Sequence, residues 1–180
     1  MNLYIKLIFV IILQIVLLSS CNWDKSNMEE LKTVASVDIE RFMGDWYIIS
    51  NIPTFFEKRA TNAIENYRLN NYGQIETTFT FYQDSPDGIK KIYNPKGFIK
   101  NTKTNAEWRM QFLWPFKMPF FIIDLDKDYK YTVIGVPNRK YVWIMSREPF
   151  LELSIYNRII GKLRNIGYDV SKIKKVLQKW

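Results

Sequence analysis

The chain carries no histidine and a single cysteine, Cys21, and these two counts decide most of the chemistry open to it. Without imidazole it lacks the commonest general base and the commonest metal ligand. Cys–His and Ser–His–Asp machinery is excluded, and no intramolecular disulfide can form. Asp124, Asp126 and Asp128 bring carboxylates together, but at a hairpin, where solvated turn residues are the ordinary outcome. No glycine-rich phosphate loop and no cluster with metal-ligand spacing occurs. The sequence points away from catalysis and implies neither metal nor cofactor. What it offers is apolar side chains in alternation: Phe79 with Phe81, then Trp108, Met110 and Phe112. Residues two apart share one face of a strand. Each set can line a pocket for an elongated apolar molecule, or it can fill a barrel outright.

The elements that would position these sets are legible as short alternating runs between turn clusters. With 180 residues, 47% hydrophobic and 16% aromatic, the chain suits one domain with a substantial core. Gly44-Asp45-Trp46 opens the first run, Trp46–Ile49, with Gly44 allowing a tight approach. Runs follow at Ala63–Leu69, Gln74–Tyr82, Ile89–Ile99 (interrupted at Asn94-Pro95), Trp108–Phe112, Phe120–Leu125, Tyr129–Val136 and Lys140–Ser146. Trp114–Pro119 reads as an apolar loop bounded by prolines. Eight strands with short links predict an all-β, up-and-down antiparallel barrel or meander. After Pro149 the period changes: Tyr156, Ile159, Ile160 and Leu163 mark one face of a helix outside the sheet, ended by Gly167. A last short strand is expected at Val176-Leu177.

The first twenty residues read as an address. Lys6 precedes an apolar run of about twelve residues, short of the about 20 needed to span a bilayer and right for a signal peptide. It closes on Leu18-Ser19-Ser20-Cys21, which resembles the lipobox of bacterial lipoproteins. That resemblance implies a signal peptide over 1–20, a lipidated Cys21 and a polar tether over 21–36, with the domain at 37–180. Multiple acyl chains would give stable anchoring. Asn22 in place of aspartate implies sorting to the outer membrane, on its periplasmic face. The net charge of +8 is compatible with nucleic acid, an anionic membrane or plain composition bias. Export and anchoring argue against nucleic acid.

Three segments in order carry a family resemblance: Gly44-Asp45-Trp46, then Asp128-Tyr129-Lys130-Tyr131, then Trp143-Ile144-Met145-Ser146-Arg147. Together they resemble the signature segments of the lipocalins, with Lys127 where the family usually has threonine. Phe56-Glu57 and the tail Gly167–Lys172 are similar to the bacterial, apolipoprotein D-like subgroup. The resemblance implies an eight-stranded lipocalin barrel with the C-terminal helix packed outside. It implies that Arg147 lies across Trp46 and closes one end, so Gly44, Trp46, Asp128, Tyr129 and Arg147 are structural. With Arg147 inward, Tyr141, Trp143 and Met145 join Phe79, Phe81, Trp108, Met110 and Phe112 as candidate ligand-binding residues.

The expected function is to bind and store or carry a lipophilic ligand, a lysophospholipid or fatty acid by resemblance. The alternative is an envelope structural or interaction lipoprotein with a side-chain-filled barrel. Pro53–Arg59 and Trp114–Pro119 are expected as lips, with Lys58 and Arg59 placed to meet a phosphate. Trp114, Phe116, Met118 and Phe120 read as an exposed patch, facing a membrane or forming a homodimer.

Overall fold

Burial alternates along 74–82 and 107–111, and is nearly continuous over 132–135 and 142–146, where the outer helix covers the sheet; the sheet curves until its first and last long strands meet. The computed structural model describes residues 29–180; the signal peptide and the lipidated Cys21 lie outside the described residues. A short helix α1 (Ile39–Phe42) leads into β1 (Gly44–Ile52), followed by β2 (Ala60–Leu69), β3 (Gln74–Gln83), β4 (Ile89–Tyr93) and β5 (Lys96–Ile99). Then come β6 (Glu107–Leu113), β7 (Phe116–Leu125), β8 (Tyr131–Gly135), β9 (Val142–Ser146), helix α2 (Leu153–Asn165) and a two-residue β10 (Lys174–Lys175). Each neighbouring pair is antiparallel, and β1 pairs with both β2 and β9, which closes the ring. β4 and β5 both pair with β3 and form one broken strand of the eight-stranded barrel. The break falls at Asn94-Pro95, where proline offers no N–H to the ladder.

Two details depart from the sequence-based expectation. The Trp114–Pro119 loop is only a two-residue turn, because β7 begins at Phe116 and Pro119 sits within it opposite Arg109. The last strand pairs at Lys174–Lys175 rather than Val176-Leu177, opposite Asn51 and Ser50 of β1. Beyond it, Asn62 exchanges side-chain hydrogen bonds with Lys179 and holds the tail down.

The barrel interior and the outer helix have separate cores. Inside, Phe42, Trp46, Phe79, Phe81, Trp108, Met110, Phe120, Trp143 and Met145 pack together. Outside, Ile159 and Leu163 of α2 lie on Ile123, Val133, Val142 and Ile144, with Tyr156 and Ile160 at the margin. Asp124 ties the helix to β7 through Lys162 (3.2 Å) and Arg158 (3.7 Å). α2 ends as expected at Gly167: the Gly167 N–H donates to Arg164 O and the Tyr168 N–H to Leu163 O. The Tyr168 hydroxyl then reaches β8, where it bonds both the N–H and the C=O of Val136. That approach requires Gly135, since a Cβ there would stand 2.4 Å from the Tyr168 hydroxyl.

The compact unit begins at Leu31, so residues 31–36, expected as tether, are docked. Leu31 is buried against Gly135 beside the β8–β9 turn. The Val34 N–H then donates to Ile122 O on β7, and the Val37 N–H to Thr104 O in the β5–β6 turn. The strap therefore descends the barrel wall from one end to the other before α1 turns inward.

Candidate functional site

The two ends of the barrel are built differently. At the end where the strap arrives, Gly44 (φ +93°) turns the chain from α1 into β1. The Arg147 guanidinium lies 3.8 Å from the Trp46 ring centroid. Its Nη1 donates to Asp45 O (2.7 Å) and its Nη2 to the carbonyls of Arg41, Phe42 and Met43 (2.8–3.1 Å). Those carbonyls end a four-residue helix and have no helical partners, so one planar cation satisfies a set of orphaned acceptors while covering the tryptophan. Trp46 Nε1 donates to Phe42 O (2.8 Å). The Tyr129 hydroxyl accepts the Asp38 N–H (2.8 Å) beneath the Arg41 guanidinium. In that turn the carboxylate that accepts backbone N–H groups is Asp126, bonded by Asp128 and Lys130; Asp128 supplies a donor.

The opposite end is open. The β1–β2 loop and the β6–β7 hairpin, the expected lips, border a cavity of about 410 Å³. Its wall is Thr54, Phe55, Phe56, Glu57, Phe79, Tyr93, Phe112, Leu113, Met118 and Tyr141. That volume lies in the range of sites for small organic molecules, about 300–1,000 Å³. Of the eight expected ligand-binding residues, Phe79, Phe112 and Tyr141 line it. Phe81, Trp108, Met110, Trp143 and Met145 do not: Phe81, nearer the mouth on β3, is covered by Phe79 and Tyr93, and the other four pack below the cavity, with Trp108 stacked on Phe120 and edge-on to Phe42 and Tyr67. Alternation gives the face of a strand but neither the height along the barrel, where four of these sit too low, nor which neighbours cover a side chain, as at Phe81. Of the expected exposed patch, Trp114 and Phe116 are exposed, Met118 faces the cavity and Phe120 is buried. Lys58 leans over the Phe55 ring, and Arg59 is paired with Asp84 (2.8 Å).

Among the described residues lining the cavity, Glu57 is the one that carries a carboxyl group. Its Oε2 accepts from Asn51 Nδ2 (3.0 Å) and Trp143 Nε1 (2.9 Å), and its Oε1 from the Thr54 hydroxyl (3.0 Å). Burial pushes its pKa up, and these three donors oppose the rise. Glu65 is also buried and accepts from the Tyr67 hydroxyl. Burial raises it to about 8, against the Tyr67 hydrogen bond and reinforced by the charge of Glu57. Sequence reading gave these carboxyls no role. The available signal was parity, because Glu65 and Tyr67 share a face of β2.

Comparison with known proteins agrees with this construction. A family profile, the lipocalin-like domain, matches residues 37–178. The outer membrane lipoprotein Blc of Vibrio cholerae is 27% identical over 152 residues, covering 84% of this chain and 88% of its own. Apolipoprotein D of Mus musculus is 30% identical over 145 residues, covering 76% of this chain and 74% of its own. Among solved structures, insecticyanin from the tobacco hornworm Manduca sexta superposes with a TM-score of 0.65 at 20% identity, covering 82% of this chain and 84% of that one. The profile match, the closed eight-stranded ring and the arginine lid over the first-strand tryptophan lead to one conclusion: the chain belongs to the lipocalin family.

Proposed function

We propose that this protein binds and stores or carries a lipophilic molecule with one elongated apolar segment, a lysophospholipid or a fatty acid, at the cell envelope. One observation carries the reading: the open half of the barrel holds a cavity of about 410 Å³ walled by aromatic and aliphatic side chains. Binding is reversible burial of apolar surface, at about 25 cal/mol per Å², with no covalent step. Glu57 sets the orientation, since an anionic head would not sit beside a buried carboxyl. The tail therefore goes in and the head stays at the mouth, on the side where Lys58 leans over Phe55. Lipidation at Cys21 would hold the protein to the periplasmic face of the outer membrane. Similarity to the Vibrio cholerae outer membrane lipoprotein supports that location.

Native mass spectrometry of the protein from cells, followed by thermal shift with a lysophospholipid and a fatty acid, tests the reading. A carrier gains RT ln(1 + [L]/Kd) of stability from its ligand. Met118→Trp, which fills the cavity from its wall, should abolish the gain. The packed lower half favours a second reading, an envelope interaction protein. A fold unaffected by every lipid offered would select it.

A further inference from the structure

The cavity mouth is ringed by apolar side chains that no other element among the described residues covers. Phe55 and Phe56 on the β1–β2 loop, Ile89 on the β3–β4 hairpin, and Leu113, Trp114 and Phe116 around the β6–β7 turn are all at least 60% exposed. They belong to three separate loops that converge on one opening, so the patch is a rim rather than a scatter of single residues. Basic residues accompany them: Lys58, Lys90, Lys91 and Lys140 are exposed on the loops and strand ends of this end. The acids of the β3–β4 hairpin are Asp84 and Asp87, and Asp84 is already paired with Arg59. The closed end carries a mixed set instead, with Glu40, Asp126 and Asp128 beside Arg41 and Lys127. An aromatic ring with an excess of lysine fits the interfacial zone of an anionic bilayer, where amphipathic rings sit at headgroup depth and basic side chains meet lipid phosphates.

Chain geometry gives a second, independent argument. The strap starts at Leu31 beside the β8–β9 turn, which is at the mouth end, and runs away from it. From Cys21 to Leu31 the backbone reaches at most about 35 Å. An anchor at Cys21 would therefore keep the mouth end within about 35 Å of the membrane, close enough for the rim to reach it.

We propose that the rim of the open end docks directly on an anionic membrane surface, so that ligand passes between bilayer and cavity without crossing water. The purpose of the contact rests on the carrier reading; the contact itself does not.

The ring closure, the strap and both cores all lie within Leu31–Trp180, so residues 22–180 retain every contact of the fold without the anchor. The test is co-sedimentation of this piece with vesicles of phosphatidylethanolamine and phosphatidylglycerol, against phosphatidylcholine alone. Binding should favour the anionic vesicles and fall with salt. The double variant Trp114→Asp, Phe116→Asp touches neither core and should bind at least about tenfold more weakly. Lys58→Gln and Lys91→Gln should each weaken binding about fivefold. Wild-type protein that ignores anionic vesicles would overturn the proposal. So would binding indifferent to the rim variants, or a dimer in solution that those variants dissolve, which would make a second copy the occupant. The melting rise with lysophospholipid in solution separates the two readings. If it persists without vesicle binding, only docking fails; if it is absent while rim-dependent binding persists, docking stands and the carrier reading fails.

Discussion

The closed and open ends of this barrel draw on the same residue types and use them oppositely. Below, Phe42, Trp46, Tyr67 and Trp108 meet edge-to-face and tilted at centroid separations of 5.0–5.8 Å, and Arg147 pairs the stray carbonyls. Above, Phe55, Phe56, Trp114 and Phe116 face outward, and the polar groups of the wall converge on one carboxyl, Glu57. Aromatic content alone does not distinguish a core from a binding mouth. The difference lies in whether backbone polar groups nearby have been satisfied, because only then can the rings be sealed from water.

Substitutions at the closed end should break this contrast most severely. Trp46→Ala removes a fully buried indole and should cost about 3–5 kcal/mol by chemical denaturation. The buried carboxyls between the two ends come next. Glu65 is held to about 8 when folded, far above its unfolded value, so the folded state binds the extra proton between them. Stability should fall as pH rises from about 4.5 to about 8, by at most about 1.4 kcal/mol per unit, and level off above. Glu57 acts in the same direction. Glu65→Gln should flatten the decline in melting temperature across that window. Arg147→Lys keeps the charge but loses the fork that reaches four carbonyls, and should cost about 2 kcal/mol while leaving ligand affinity unchanged in the folded fraction. At the open end the balance reverses. Leu113→Ser should change stability by no more than about 0.5 kcal/mol yet weaken a lysophospholipid in a fluorescence titration. A large loss of stability there would mean the rim is core after all.

Much of the closed end was legible in the sequence. Gly44, Trp46, Tyr129 and Arg147 sit in short segments whose order and spacing carry information, and alternation placed Tyr141, Trp143 and Met145 on one face. The open end was harder to read. Trp108 and Met110 have the same parity as Phe112, and Phe81 that of Phe79, so height along the barrel and covering neighbours decide which of them reach the cavity. The Trp114–Pro119 segment looked like a loop because prolines usually break strands, but Pro119 occupies a place in β7. Glu65 gives no signal because a lone carboxylate in a strand pattern ordinarily faces water, and Glu57 gives none because it lies in a loop, where the same holds. The strap over 31–37 is too short for a strand or helix pattern: Leu31 and Val37 are buried, Val34 packs against the core, and backbone hydrogen bonds to Ile122 and Thr104 complete the hold.

The strap also determines how the protein would respond to tension. A pull arriving through the residues ahead of Leu31, from the mouth side, runs along the strap's own axis. The Leu31 contact and the bonds Val34 N–Ile122 O and Val37 N–Thr104 O are then sheared together, not peeled in turn. The force passes into the middle of β7 and into the β5–β6 turn at the closed end, ahead of α1 and β1. The strap acts as a mechanical clasp that takes the load before it reaches β1, the strand that closes the ring.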